Sequence, residues 1–184
     1  MGDRVEPNDD RALVDALRSG DPRAPQWLVE WFQADIFALC FRMMGHRQDA
    51  EDVAQETFLR ALRGIAGFDQ GRPIRPWLLG IAANRCRTAL TRRGRRPTTV
   101  ETMAECVDPR PPLGDPDDLA GELARALERL RPEYRAVFTL FHEQNLPNEE
   151  IAQAIGRPIG TIKTWLHRAR AELAGHLSCR GVSC

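Results

Sequence analysis

Apolar residues recur at spacings of three and four from Leu13 to Leu173, and no stretch alternates convincingly with period two. Such a chain folds into helices that each bury one stripe, so the expected class is all-α. The widest stripe is Trp27, Leu28, Trp31, Phe32, Ile36, Leu39, Cys40 and Met43, on one long helix. A shorter helix over roughly 9–19 precedes it, with Leu13, Val14 and Leu17 facing inward. After Gly45 the run HRQDAEDVAQETFLRALRGI starts a third, with Asp49 placed to cap it and Glu51 and Asp52 in the first turn. GFDQGRP reads as a turn, and RPWLLGIAANRCRTALTRRGRR as a fourth helix ending in arginines.

One segment interrupts this pattern. Residues 97–118 hold five prolines, six acids and one arginine in 22 residues, which suits a linker and not a packed helix. Periodicity resumes with Leu119, Leu123, Leu127 and Leu130, and Pro132 opens a helix carrying Tyr134, Val137, Phe138 and Phe141. Two short helices follow, about 147–155 and 159–176, joined by Ile155-Gly156-Arg157-Pro158. The expectation is two helical domains, 9–96 and 119–177, on a flexible tether at 97–118, with a tail at 178–184.

Charge is unevenly spread along a chain whose 26 basic and 26 acidic residues cancel. Residues 71–96 carry eight arginines and no acid, a local field that the neutral total conceals. No apolar run approaches the roughly 20 residues of a membrane helix. The opening MGDRVEPNDD is acidic and polar where a secretory signal is basic and then apolar, so the expected compartment is the cytoplasm. Five widely spaced cysteines include no CxxC pair, and Cys40 and Cys86 sit among apolar residues as reduced core side chains.

Three constellations carry chemistry. The last two helices have the layout of a helix-turn-helix. On the second of them Ile159, Ile162, Leu166, Ala169 and Leu173 share a docking face, while Lys163, Thr164, His167 and Arg168 share another. No acid occurs over 157–171, which suits the major groove as well as it suits a solvated basic surface. In the arginine block, Asn84, Arg87, Thr88, Thr91 and Arg95 form one polar stripe opposite Leu78, Ala82, Cys86 and Ala89, and Phe68 and Trp77 flank the turn 69–76. Cations, aromatic faces and an amide beside a loop are what single-stranded nucleic acid needs, although a solubilising face beside a core tryptophan has the same composition. Third, Asp52, Gln55, Glu56 and Leu59 line one face near Asp49 and Glu51, a protein-docking surface or mere capping acidity. A metal there, with His46, would need a facing Glu-x-x-His helix that the chain lacks.

The runs DAEDVAQETFLRA (49–61), RPWLLGIAANRCRTALTRR (75–93) and GTIKTWLHRAR (160–170), in this order and spacing, closely resemble the extracytoplasmic-function (ECF) group of bacterial RNA polymerase sigma factors. The resemblance implies a four-helix promoter-melting domain, a linker and a helix-turn-helix domain reading the upstream promoter element. It gives Asp49, Asp52, Gln55, Glu56 and Leu59 a role in docking on core polymerase, whose basic helices suit their acidity. It gives Phe68, Trp77, Ile81 and Asn84 a pocket for a base flipped from the −10 element, with Arg87 and Thr88 beside it and 69–76 as specificity loop. Lys163, Thr164, His167 and Arg168 correspond to the −35 contact face. Two departures stand out: Trp165, where the family often has arginine, is read as packing, and Pro147 replaces the usual serine before the first short helix, which a helix start tolerates.

The implied partners are core RNA polymerase and promoter DNA, with room for an anti-sigma factor and none for a membrane. Catalytic residues, cofactor and metal are all expected to be absent, since no nucleophile–base set, phosphate loop or metal cluster is evident. A conventional helix-turn-helix regulator would need neither the arginine-rich 85–96 segment nor the acidic face. Cys106, Cys179 and Cys184 resemble the thiols of a minor metal-responsive branch, which could complete a site with His176, or they are incidental.

Overall fold

The computed structural model describes residues 9–95 and 119–178, as eight α-helices and one 3₁₀ turn with no strand among the described residues. In the first half α1 spans Asp10–Ser19, α2 Ala24–Met44, α3 Arg47–Gly64 and α4 Ile74–Arg95, with a 3₁₀ turn at Ile65–Gly67. In the second half α5 spans Leu119–Arg129, α6 Pro132–His142, α7 Asn148–Ile155 and α8 Ile159–Ser178. The expected helices are therefore all found. The expected linker and the cysteines 106, 179 and 184 lie outside the described residues.

Local chemistry sets several boundaries. The Asp9 carboxylate accepts the backbone N–H groups of Arg11 and Ala12 at 3.1 and 2.9 Å and starts α1, a cap worth about 0.5–2 kcal/mol. The expected cap at Asp49 is not formed. Helix α3 begins three residues earlier than that cap would set, with His46 in extended backbone at the N-cap position, and Asp49 inside the first turn pairs with Arg93 at 3.0 Å. Helix α7 ends at Gly156, whose φ of +70° is the left-handed conformation that glycine adopts without penalty, and this turn aims α8.

One core joins the two halves. Leu28, Ile36, Leu39 and Met43 of α2 and Leu78 and Leu79 of α4 are fully buried in the same cluster as Leu140 of α6, Ile151 of α7 and Ile162 of α8. Each such side chain contributes roughly 1.5–3 kcal/mol by leaving water. A smaller cluster, Ala126, Leu127, Leu130, Tyr134, Ala169 and Leu173, ties α5, α6 and α8 together. Polar clips accompany the apolar contact. Arg42 meets Glu143 at 2.8 Å, and Arg75 donates to the Gln144 carbonyl at 3.1 Å and to its side-chain oxygen at 2.9 Å. Arg135, 5% exposed, donates to the Met43 carbonyl at 2.7 Å and to the Glu128 carbonyl, so one guanidinium ties the ends of α2 and α5 to α6. Burial pushes its pKa down, and the nearby Glu128 carboxylate opposes that.

Candidate functional site

Helix α3 turns Ala50, Val53, Ala54, Thr57, Phe58 and Ala61 into the core, and this register puts Asp52, Gln55 and Leu59 outside. Leu59 is 53% exposed, a large apolar side chain beside carboxylates, which is the surface a partner helix can cover. Glu56 is engaged from two sides, by Arg85 at 2.5 Å and Arg60 at 3.1 Å. Burial alone would raise its pKa, but the hydrogen bonds from Arg85 and Arg60 hold the carboxyl below its usual range. Among the described residues, no three His, Cys, Asp or Glu side chains are close enough to hold a metal ion.

The turn after α3 carries Phe68, and α4 carries Trp77, Ile81, Asn84, Arg87 and Thr88. Phe68 and Trp77 are ring neighbours, with centroids 4.9 Å apart and planes tilted by 45°. They line a cavity of about 420 Å³ with Asp69, Arg72 and Pro76, and its far wall is Glu150, Gln153 and Ala154 of α7. Asn84, Arg87 and Thr88 line a separate polar cavity of about 450 Å³, shared with Glu133, Gly156 and Arg157. The structure thus divides the expected −10 set between two cavities and leaves Ile81 packed on the edge of the core. Asn84 donates to the Ala154 carbonyl at 3.5 Å and accepts from Arg87 at 2.9 Å. Burial pushes the Arg87 pKa down; the Glu133 carboxylate opposes this and the Arg157 cation adds to it.

On α8, Ile162, Leu166, Ala169 and Leu173 are buried, while Lys163, Thr164, His167 and Arg168 are all exposed on the opposite side. Ile159, expected on the docking face, is 37% exposed, because the first residue of α8 precedes the turn at which the helix meets the core. Arg168 donates from its guanidinium Nη1 to the Tyr134 hydroxyl at 3.3 Å, which tethers the charged end of one member of the basic face. Trp165 packs half-buried against the core with the Arg87 guanidinium 5.8 Å from its ring centroid. The packing role expected of it therefore holds.

Helix α1 supplies positioning residues that sequence reasoning does not single out. Arg18 donates to the Ile65 carbonyl at 3.2 Å and to the Phe68 carbonyl, Gln70 donates to Asp15 at 2.5 Å, and the Asp10 carboxylate accepts the Ile74 N–H at 2.9 Å. Asp10 thus caps α4 from another helix, and the turn bearing Phe68 is held at both ends. The partners are about 50 or more residues away in sequence, so no local pattern announces them.

Comparison with known proteins gives a consistent result over both halves. Sigma-70 region 2 matches residues 28–96, and Sigma-70 region 4 matches residues 120–173. The chain is 35% identical to the ECF RNA polymerase sigma factor SigE of Mycolicibacterium smegmatis, over 96% of this chain and 72% of that protein. Among solved structures it is similar to CnrH in complex with the cytosolic domain of CnrY, with TM-score 0.69 and 26% identity, over 92% of this chain and 97% of that one. It is also similar to the sigma factor RpoE of Bartonella quintana in complex with the anti-sigma factor NepR, with TM-score 0.65 and 25% identity, over 85% of this chain and 98% of that one.

Proposed function

The chain belongs to the ECF group of RNA polymerase sigma factors, the subunits that direct polymerase to promoters, and from that premise we propose how its surfaces divide the work. Asp52, Gln55, Glu56 and Leu59 on α3 dock on a basic helical surface of core polymerase, with Asp49 at the edge. Phe68 and Trp77 stack a base flipped from the −10 strand, with Ile81 supporting α4 from the core edge, and Asn84, Arg87 and Thr88 follow the strand from the neighbouring cavity. Stacking on the two rings offsets the few kcal/mol that unstacking costs. Lys163, Thr164, His167 and Arg168 enter the major groove of the −35 duplex. The chain does no chemistry of its own in this reading and acts in the cytoplasm, with an anti-sigma factor as a further partner of the kind that the RpoE structure contains. No helix among the described residues is long and apolar enough to cross a membrane.

The observation that carries the reading is the α8 surface, where four polar or basic side chains stand exposed opposite the buried Ile162, Leu166, Ala169 and Leu173. The broad test is transcription from a promoter library with purified core polymerase. The docking assignment has a sharper one: Asp52→Arg with Glu56→Arg sets like charges face to face. Pull-down of core should be abolished with helicity unchanged, and undiminished pull-down refutes the assignment.

A further inference from the structure

The cavity of Asn84 and Arg87 holds more cations than the strand assignment uses. Gly80, buried in the middle of α4, lets α7 cross so closely that a Cβ there would sit 2.8 Å from the Ala154 Cα. The turn between α7 and α8 is thereby brought over the arginine-rich end of α4, and Arg157 joins Arg87 and Arg92 in the cavity wall. Glu133 of α6 supplies the one carboxylate among the described lining residues, so three cations face one acid. Arg87 is held in place. Its Nη1 donates to the Asn84 side-chain oxygen at 2.9 Å, its guanidinium lies 5.8 Å from the Trp165 ring centroid, and its buried Nε finds no acceptor among the described residues. Arg92 and Arg157 are exposed and form no ion pair among the described residues. Like charges at Arg87 and Arg157 oppose each other, and an anion between them relieves that opposition.

The remaining polar groups define the kind of anion. The Thr88 and Thr91 hydroxyls donate to the carbonyls of Asn84 and Arg87 at 2.8 Å, and the Gly156 and Arg157 N–H groups donate within the end of α7. Anion recognition therefore falls to the guanidinium forks, which match phosphate oxygens two at a time. The threonines keep lone pairs only, and Glu133 is an acceptor too, so the same cavity also offers places for hydroxyl donors. A bare phosphate brings none, and it cannot fill about 450 Å³, a volume in the range of organic ligands. We propose that this cavity is a nucleotide site taking a ribonucleoside di- or triphosphate, with the phosphates on Arg87, Arg92 and Arg157 and the ribose hydroxyls on Glu133 and the threonines. A carboxylate on a ribose hydroxyl is a common pairing. The site shares Asn84, Arg87 and Thr88 with the proposed strand path without resting on it. Arg92, Glu133 and Arg157 have no part in that path, and no DNA enters the test.

The experiment is isothermal titration calorimetry of the full chain with ATP, in chelator and at one fixed salt concentration. ATP should bind one to one and at least about tenfold tighter than inorganic tripolyphosphate, although the latter carries more charge. Arg92→Ala and Arg157→Ala should each weaken ATP binding by at least about tenfold. Both side chains are exposed and without an ion pair among the described residues, so the fold survives their removal. Arg11→Ala removes an exposed arginine of α1 outside the cavity and should change nothing. Glu133→Gln should bring ATP and tripolyphosphate together, by easing repulsion of the bare anion and weakening the ribose contact. Titration without saturation overturns the proposal, and so does saturation that Arg157→Ala leaves untouched. Equal losses in Arg11→Ala and Arg157→Ala would reduce binding to a general attraction and overturn it as well. Tripolyphosphate bound as tightly as ATP, or an ATP preference indifferent to Glu133→Gln, refutes a nucleoside in this cavity. The strand assignment stands or falls separately, on open-complex formation by Trp77→Ala.

Discussion

Two faces proposed here to read DNA sit on this chain in opposite states. The basic side of α8 stands in solvent, whereas the aromatic and amide groups beside and on α4 are roofed by α7. The difference follows from what lies opposite each. Helix α8 turns Ile162, Leu166, Ala169 and Leu173 into the core, and its polar side stays open. Helix α4 packs on α2 and α3 through one face, and a second face built on Gly80 is smooth enough to take another helix. In this chain the face rich in aromatic and small residues is covered by a helix of the other half, and the basic side of α8 is not.

The largest expected effect separates the faces from the open side. Lys163→Ala with Arg168→Ala should weaken binding to a −35 duplex by at least about tenfold, since deleting a side chain that reads a base edge costs about 1–3 kcal/mol, and should leave binding of a random-sequence single-stranded DNA pool unchanged. Unaltered duplex affinity would remove the contrast altogether. Next is Trp77→Ala, which should reduce open-complex formation by the holoenzyme by about 1–3 kcal/mol, the worth of one base–aromatic stack, with duplex binding intact. Equal losses in both assays would make Trp77 a support of the fold only.

Arg135→Met probes what keeps the covered face covered. It preserves a long apolar stem but leaves the Met43 and Glu128 carbonyls without their donor, so thermal denaturation should report a loss of about 1–3 kcal/mol. An unchanged melting curve would make the clip idle. The smallest effect is expected at His142, which accepts from Arg170 Nε at 3.3 Å and stacks near Phe138 and Phe141. Partial burial and the Arg170 cation push its pKa below 6.5, with Glu143 opposing. Its stabilisation is therefore complete above about pH 6.5 and is lost as pH falls through the lowered value. The exposed ring makes the change small, and His142→Gln should lose less stability between pH 7 and pH 5 than the wild type does.

Much of this is legible in the sequence, for identifiable reasons. Helices α1 to α8 announce themselves through apolar spacing, and Trp165 reads as packing because it borders Ile162, Leu166 and Ala169. The α8 surface is legible because one helix determines it. Asp49 misleads as a cap because an acid suits the N-cap and the first turn alike, and the observed start at Arg47, with extended His46 at the N-cap and no side-chain cap, puts it in the first turn. The roles of Asp10 and Arg18 stay invisible, since each acts on a backbone group far along the chain. Gly80 is the least legible of all: inside a helix a glycine reads as a weak spot, and only the crossing partner reveals why no larger residue fits.

The crossing at Gly80 also has a place in time. Ala154 follows Gly80 by 74 residues, and the ribosome makes them in that order. Helix α4 ends at residue 95 and α7 at residue 155, so at about 5–20 residues per second the first four helices are complete for roughly 3 to 12 s before α7 is. During that interval the newborn chain presents Trp77 and Asn84 uncovered, and a polymerase or nucleic acid met then meets a surface that the finished protein withholds.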